Sequence, residues 1–472
     1  MPQRVDVAII GAGTAGLSAM RRVREQTDNF VLINAGPYGT TCARTGCMPS
    51  KALIEIANSY ARAGLLGTLG IRGSENLSVD PRALLAHVRT LRDQYVQGVL
   101  ELTSSLGERR VDGVARILGP DTVSVNGRHY AARAIIIATG SRPVVPDAWQ
   151  ALGDHLLTSD NLFEQSSLPA RLAVIGLGGV GLELAQALAR LGVEVHGFEA
   201  TGFVGGLTDP AISERAIAEL GREFSVHTGV PAKLSAHAGR VRVQAGERHV
   251  DVDKVLVALG RAPASAALDL EALGLPLDDQ GLPPFDTGTQ QVGNLPVFIA
   301  GDVNGYRPLL HEAADEGYIA GCNAVQEQPQ AFVRRTPLMI CFSTPGIARA
   351  GASFAELKDR RMVTGTADFA GQGRARMSGR DRGSLRVYAD TDAGRLLGAE
   401  MCIPGGEHIA HLLAWSIQQR LTLSDVLSMP YYHPTLEEGL RTALRAAGKQ
   451  LHKAQPGAQA RACDQLPFRG LD

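Results

Sequence analysis

The chain has 472 residues, enough for about two to four domains, and with 44% hydrophobic and 20% charged residues it has the composition of an ordinary globular protein with a sizeable core. Its 47 basic and 48 acidic residues leave no positive field for nucleic acid or anionic lipid, so small molecules or proteins are the expected partners. Without a charged-then-apolar leader or an apolar run of about 18 residues the expected location is cytoplasmic, away from membranes, and the scattered cysteines at 42, 47, 322, 341, 402 and 463 do not resemble a secreted disulfide framework.

In chain order, Val5-Asp6-Val7-Ala8-Ile9-Ile10 reads as a buried strand entering Gly11-Ala12-Gly13-Thr14-Ala15-Gly16 and then a helix through Leu17, Met20 and Val23. A strand, a glycine turn and a helix start make a phosphate cradle: Gly11, Gly13 and Gly16 let a pyrophosphate approach the backbone, with its charge at the helix N-terminus. A second strand, Val31-Leu32-Ile33, ends on Asn34, 23 residues beyond Gly11, where a dinucleotide's ribose is read.

Cys42 and Cys47 follow, in Thr41-Cys42-Ala43-Arg44-Thr45-Gly46-Cys47-Met48-Pro49-Ser50-Lys51. Five residues apart they are too distant to bridge in a regular helix, since a disulfide needs Cα atoms about 4.4 to 6.8 Å apart; a bridge requires irregular backbone between them. Pro49 and the helical spacing of Leu53, Ile56, Ala57 and Tyr60 put Cys47 near a helix N-terminus, where the dipole and free amides favour a thiolate. The plain alternative is two buried cysteines near a turn. Residues 79–106 read as a long amphipathic helix.

The cradle then recurs. Leu172-Ala173-Val174-Ile175 leads into Gly176-Leu177-Gly178-Gly179-Val180-Gly181, with Gly176, Gly178 and Gly181 in register with the first set, and Glu199 again lies 23 residues on. Two cradles imply two dinucleotides. A carboxylate at Glu199 takes both ribose hydroxyls and repels a 2′-phosphate, which favours NAD over NADP. Further on, Ser384-Leu385-Arg386-Val387-Tyr388-Ala389 and Leu396-Leu397-Gly398-Ala399-Glu400-Met401 alternate like strands.

With these motifs, and with Ala138-Thr139-Gly140-Ser141-Arg142-Pro143, Ala258-Leu259-Gly260-Arg261-Ala262-Pro263, Phe298-Ile299-Ala300-Gly301-Asp302-Val303 and His433-Pro434-Thr435-Leu436-Glu437-Glu438, the chain resembles the pyridine nucleotide-disulfide oxidoreductases from Val5 to about Glu438. The resemblance implies an α/β fold of two Rossmann-like dinucleotide-binding domains, for FAD and NAD, and a C-terminal α+β dimerisation domain. Residues 1–150 and 269–337 would form the FAD-binding domain, 151–268 the NAD-binding domain, and 338–472 the dimerisation domain with a tail. It implies FAD on the first cradle, with Asn34, Thr41, Thr139, Gly140 and Asp302 among its contacts, and NAD on the second, with Gly260 nearby. Lys51 and Glu183 match a pair beside the flavin; Cys42 and Cys47 match a redox disulfide, and His433 and Glu438 an acid/base pair supplied by the other subunit of a homodimer, with a cis His433–Pro434 bond. His311 is expected to be structural, and no metal site is expected.

Within the family, Glu199, Val180 in place of an aromatic lid, and Glu316-Gly317-Tyr318 favour a dihydrolipoamide dehydrogenase, acting on a small-molecule or lipoyl-domain disulfide. The alternative is an NAD(P)H-dependent reductase of another low-molecular-weight or protein disulfide, glutathione reductase-like or mercuric reductase-like. Asn34 replaces the usual acidic ribose ligand, Thr40 a glycine and Gly346 a glutamate, and a tail past about residue 455 carries Cys463.

Overall fold

The computed structural model describes residues 1–454. Strand β1 (Gln3–Ile10) is apolar and buried over its second half because it lies in the middle of a sheet, with β2 (Phe30–Asn34) parallel on one side. Beyond β2 stands β3 (Arg110–Asp112), and on the other side of β1 an antiparallel meander of β4 (Ala115–Gly119), β5 (Thr122–Val125) and β6 (Arg128–Ile137) joins through β6. The strand Val297–Ile299 returns later in the chain to pair parallel with the end of β6.

Helix α1 (Thr14–Arg24) leaves β1 through the glycine turn and buries Ala15, Leu17, Ala19, Met20 and Val23 against the sheet and against a later helix, Leu310–Ala324. Next come α2 (Thr41–Arg44), α3 (Cys47–Ala63) and α4 (Pro81–Ser104). The helix expected over 79–106 begins at Pro81 because Asp80 caps it, its carboxylate accepting from the Arg82 and Ala83 amides, with proline tolerated at the first helical position.

The second unit repeats the first. Strands Arg171–Ile175, Glu194–Glu199, Ser225–Thr228, Lys254–Val257 and Leu156–Leu157 form a wholly parallel sheet, with α5 (Gly179–Arg190) following the second glycine turn. Its other face carries an antiparallel meander, residues 233–252. Ser141–Pro143 and Arg261–Pro263 pair antiparallel where the chain crosses between the units, so the two crossings are hydrogen-bonded to each other.

The C-terminal sheet is antiparallel, in the order Leu338–Cys341, Gly346–Gly351, Leu396–Ile403, Ser384–Asp390, Met362–Asp368. Ser384–Asp390 alternates over its first residues as expected, whereas Leu396–Ile403 is buried almost throughout. The reason is coverage of both faces. Gly406–Gln418 and Glu437–Ala454 pack on the sheet, and Pro210–Leu220 from the second unit also contacts its strands. Glu400, fully buried in that strand, accepts from the Thr208 amide (2.7 Å) and hydroxyl (2.5 Å) and from the Asp209 and Phe354 amides (2.8 and 2.9 Å), so its charge is satisfied at the seam between units. No described helix is long and apolar enough to cross a membrane.

Candidate active site

The backbone between the two cysteines is irregular in the way a close pair requires. Helix α2 is one turn long, capped by the Thr40 hydroxyl accepting from the Ala43 amide, and stops at Thr45; Gly46 then leaves helical geometry and α3 starts at Cys47 itself. Both cysteines are free thiols, partly buried and hydrogen-bonded to one another. Their acidities split. The bond from Cys42 pulls Cys47 down to about 7, helped by the Lys51 charge against the cost of burial. The same bond, together with burial, pushes Cys42 well above an ordinary thiol.

Lys51, four residues along α3, shares the face of Cys47. Its Nζ lies 2.8 Å from Glu183 Oε2 and 4.6 Å from the centre of the Phe342 ring. Glu183 is buried on α5, and its other oxygen accepts from the Phe342 amide at 2.9 Å. The lysine is therefore held by a carboxylate from the second unit and an aromatic face from the C-terminal sheet. Around them opens a cleft of about 1020 Å³, lined by Cys42, Cys47, Lys51, Val180, Glu183 and Asp302.

The two glycine turns match atom for atom. A Cβ on Gly11 would stand 2.2 Å from the Ala138 carbonyl oxygen, and one on Gly176 2.4 Å from that of Ala258; Cβ atoms on Gly16 and Gly181 would each meet the carbonyl of the turn's first glycine at 1.9 Å. Asn34 Oδ1 accepts from the Ala12 amide (3.1 Å) as Glu199 Oε2 accepts from Leu177 (2.9 Å), so both positions expected to read a ribose stand at the mouths of their turns. Thr201 steadies Glu199 through its amide and hydroxyl, each 3.1 Å from Oε1.

From the first turn a second cleft of about 760 Å³ runs past Asn34 and joins the first at Gly13, Thr41, Gly140 and Arg261. Thr139 lines it, and its hydroxyl is buried without a hydrogen-bond partner. An elongated groove with a glycine cradle along its length and an unanswered hydroxyl on its wall fits a dinucleotide such as FAD.

Several site residues were legible only as letters inside quoted motifs. Ser141 Oγ donates to Asp302 Oδ2 at 2.6 Å, and Arg261 donates to the Ser141 hydroxyl and carbonyl at 2.8 and 2.7 Å. Buried Glu316 accepts from the Gly301 amide and the Asn304 side chain at 2.8 and 2.7 Å, fixing the turn that presents Asp302, and Arg334 balances its charge at 2.8 Å. Phe342 carried no sequence signal at all.

His433 Nδ1 lies 3.0 and 3.1 Å from the Glu438 oxygens, and this bond holds the Glu438 carboxyl below its ordinary range. The His433–Pro434 bond is cis. His433 is 79% exposed, and neither it nor Glu438 lines the cleft of its own chain. The fold thus gathers Cys42, Cys47, Lys51, Glu183 and Asp302 and leaves His433 and Glu438 apart. His311 stands exposed in this chain in the first turn of Leu310–Ala324, while its neighbours Glu312 and Ala313 pack inward. Cys463 lies outside the described residues.

A paired dithiol with one acidified sulfur, beside two dinucleotide cradles, defines an oxidoreductase that couples thiol chemistry to nucleotide redox chemistry. The chain belongs to the pyridine nucleotide-disulphide oxidoreductase family, which it matches over residues 5–317, with the family's dimerisation domain over 338–444. It is 31% identical to the dihydrolipoyl dehydrogenase of Halobacterium salinarum over 466 residues, covering 95% of this chain and 97% of that one. It is also 31% identical to that of Pseudomonas aeruginosa, at 95% and 99% coverage, and 27% identical to a mercuric reductase of Staphylococcus aureus, at 95% and 83%. Among solved structures, the HOCl-induced flavoprotein disulfide reductase RclA from Escherichia coli shares the fold, with a TM-score of 0.81 at 22% identity over 93% of this chain and 99% of that one. The chain is a disulfide oxidoreductase, and its cofactors are FAD and NAD.

Proposed function

We propose that the chain is a dihydrolipoyl dehydrogenase, a homodimer that passes two electrons from dihydrolipoamide, free or on a lipoyl domain, to NAD through a Cys42–Cys47 disulfide. The observation that carries this reading is the close, hydrogen-bonded pair Cys42 and Cys47 in the cleft, with Cys47 at the start of α3 and Lys51 one turn on, a setting that pulls Cys47 down and pushes Cys42 up. The names of the relatives, Glu199 at the second ribose position, and the open Val180 at the cleft support the substrate and nucleotide assignments.

His433 of one copy serves the dithiol of the other. Its Nδ1 is held by Glu438, which leaves Nε2 to take a proton from a substrate thiol, and the carboxylate stabilises the resulting imidazolium. The substrate thiolate attacks Cys42 in the disulfide, and the Cys42–Cys47 bond breaks to release Cys47 as a thiolate at the α3 N-terminus beside Lys51. The second substrate thiol, deprotonated in turn, displaces Cys42 from the mixed disulfide; Cys42 takes up a proton, and lipoamide leaves oxidised by two electrons. Gly11, Gly13, Thr139, Gly140 and Asp302, which line the joined clefts, would hold FAD there, and when bound it would supply the two-electron carrier between the dithiol and NAD.

Turnover of dihydrolipoamide with NAD by the purified chain is the test. The reading requires multiple turnovers dependent on both reactants. A chain that leaves lipoamide untouched yet oxidises NADH or NADPH with another low-molecular-weight or protein disulfide belongs to a different substrate branch of the family.

A further inference from the structure

The first ribose position carries an amide where its counterpart in the second unit carries a carboxylate, and the same groove contains a cation with nothing to neutralise it. Asn34 spends its side chain on the backbone, Oδ1 accepting from Ala12 and Nδ2 donating to the Gly36 carbonyl at 3.0 Å. Arg44, at the end of α2, lines the groove with Asn34, the glycine turn and Thr139. Its methylene stem passes over Gly39, where a Cβ would stand 3.0 Å from both Cγ and Cδ. Among the described residues no carboxylate lies within ion-pair distance of its guanidinium, whereas Arg261, the other arginine lining the clefts, is committed: it bonds Ser141 and stands 3.7 Å from Asp160.

An unpaired guanidinium in a partly enclosed groove is expensive unless an anion arrives, and its planar fork of donors suits phosphate oxygens. The glycine turn at the N-terminus of α1 lines the same groove, so free amides there also favour an anion. We infer that Arg44 is a cofactor-binding residue of this chain, clamping the pyrophosphate of FAD together with the glycine turn and offsetting the weaker hold of a neutral Asn34 on the ribose. This rests on FAD occupying the first cradle. Nothing in the dithiol chemistry requires Arg44, and in this chain a larger share of FAD affinity is therefore electrostatic.

The test is fluorescence titration of the flavin-stripped full chain with FAD and, in parallel, with riboflavin, which lacks phosphate and adenosine, across a range of salt concentrations. Arg44→Met keeps the stem over Gly39 and removes the charge. It is expected to weaken FAD binding about tenfold or more, to flatten its salt dependence, and to leave riboflavin binding unchanged, with Arg44→Lys recovering part of the loss. Unchanged FAD affinity and salt dependence in Arg44→Met overturns the inference. Equal loosening of FAD and riboflavin also overturns it, because the arginine then acts by shaping the loop. If the native chain takes up no FAD, the inference falls with the cofactor assignment, an outcome visible before any variant is made.

Discussion

At the scale of single residues, the chemistry turns on the balance of charge around Cys47. Its thiol is pulled down to about 7 by the bond from Cys42 and by the Lys51 cation, so in the two-electron-reduced enzyme the thiolate population rises as pH increases through that value. The long-wavelength charge-transfer absorbance of thiolate and flavin is expected to titrate with a midpoint near pH 7. In Lys51→Met the midpoint moves upward, because removing the cation raises the cost of the thiolate; an unmoved midpoint would show that the lysine does not tune the sulfur. The second unit offers a comparable test in Glu199. Its carboxylate, fixed by Leu177 and Thr201 at the mouth of the second glycine turn, is expected to face the ribose and to repel a 2′-phosphate. NADH is expected to exceed NADPH at least tenfold in kcat/KM, about 1.4 kcal/mol, and Glu199→Gln to narrow that ratio; equal use of both nucleotides by the native chain would assign specificity elsewhere.

At the scale of elements, the two glycine turns permit an experiment in which each unit is the control for the other. A methyl at Gly16 or Gly181 collides with a backbone oxygen at 1.9 Å, which no side-chain rotation relieves, so the following helix must shift. Gly181→Ala is expected to raise the KM for NADH at least tenfold with flavin content intact, whereas Gly16→Ala loses flavin; matched loss of both nucleotides in either variant, measured by flavin absorbance and NADH kinetics, would contradict independent cradles. These turns were readable because every part is local: a buried strand, glycines at fixed offsets and an amphipathic helix within about thirty residues. What was not readable is what the fold assembles over distance. Ser141 meets Asp302 across 161 residues and Arg261 across 120, and periodicity contains nothing that pairs them. Phe342 reaches Lys51 only because α5 pins its backbone: Glu183 takes the Phe342 amide, while Gln186 bonds both the amide and carbonyl of Thr344 at 2.8 and 2.7 Å. Burial of Leu396–Ile403 on both faces escaped the pattern for the same reason, since the covering helices come from elsewhere in the chain.

At the scale of the whole molecule, the proposed mechanism divides each site between two chains. Cys42 and Cys47 face the cleft between the units, while His433, oriented by Glu438 and 79% exposed, stands on the C-terminal domain with no thiol to serve. A histidine so fixed and so exposed, on a domain of the dimerisation type, supports the proposal that it acts on a second copy. His433→Ala is expected to lose about 10²- to 10⁴-fold in turnover, the usual worth of a positioned acid/base, with flavin content unchanged, and Glu438→Gln less, because it orients the imidazole without meeting the substrate. The decisive version mixes chains. Cys42→Ser dimers lack the exchanging sulfur at both sites, and His433→Ala dimers lack the base at both. In a heterodimer of the two, one site joins an intact dithiol to an intact histidine and the other carries both defects. Activity near half that of the native dimer is therefore expected once heterodimers are isolated by differential tags. Heterodimers that form and stay at background would show that the dithiol and the histidine do not meet across the interface, and that catalysis draws its base from within a single chain.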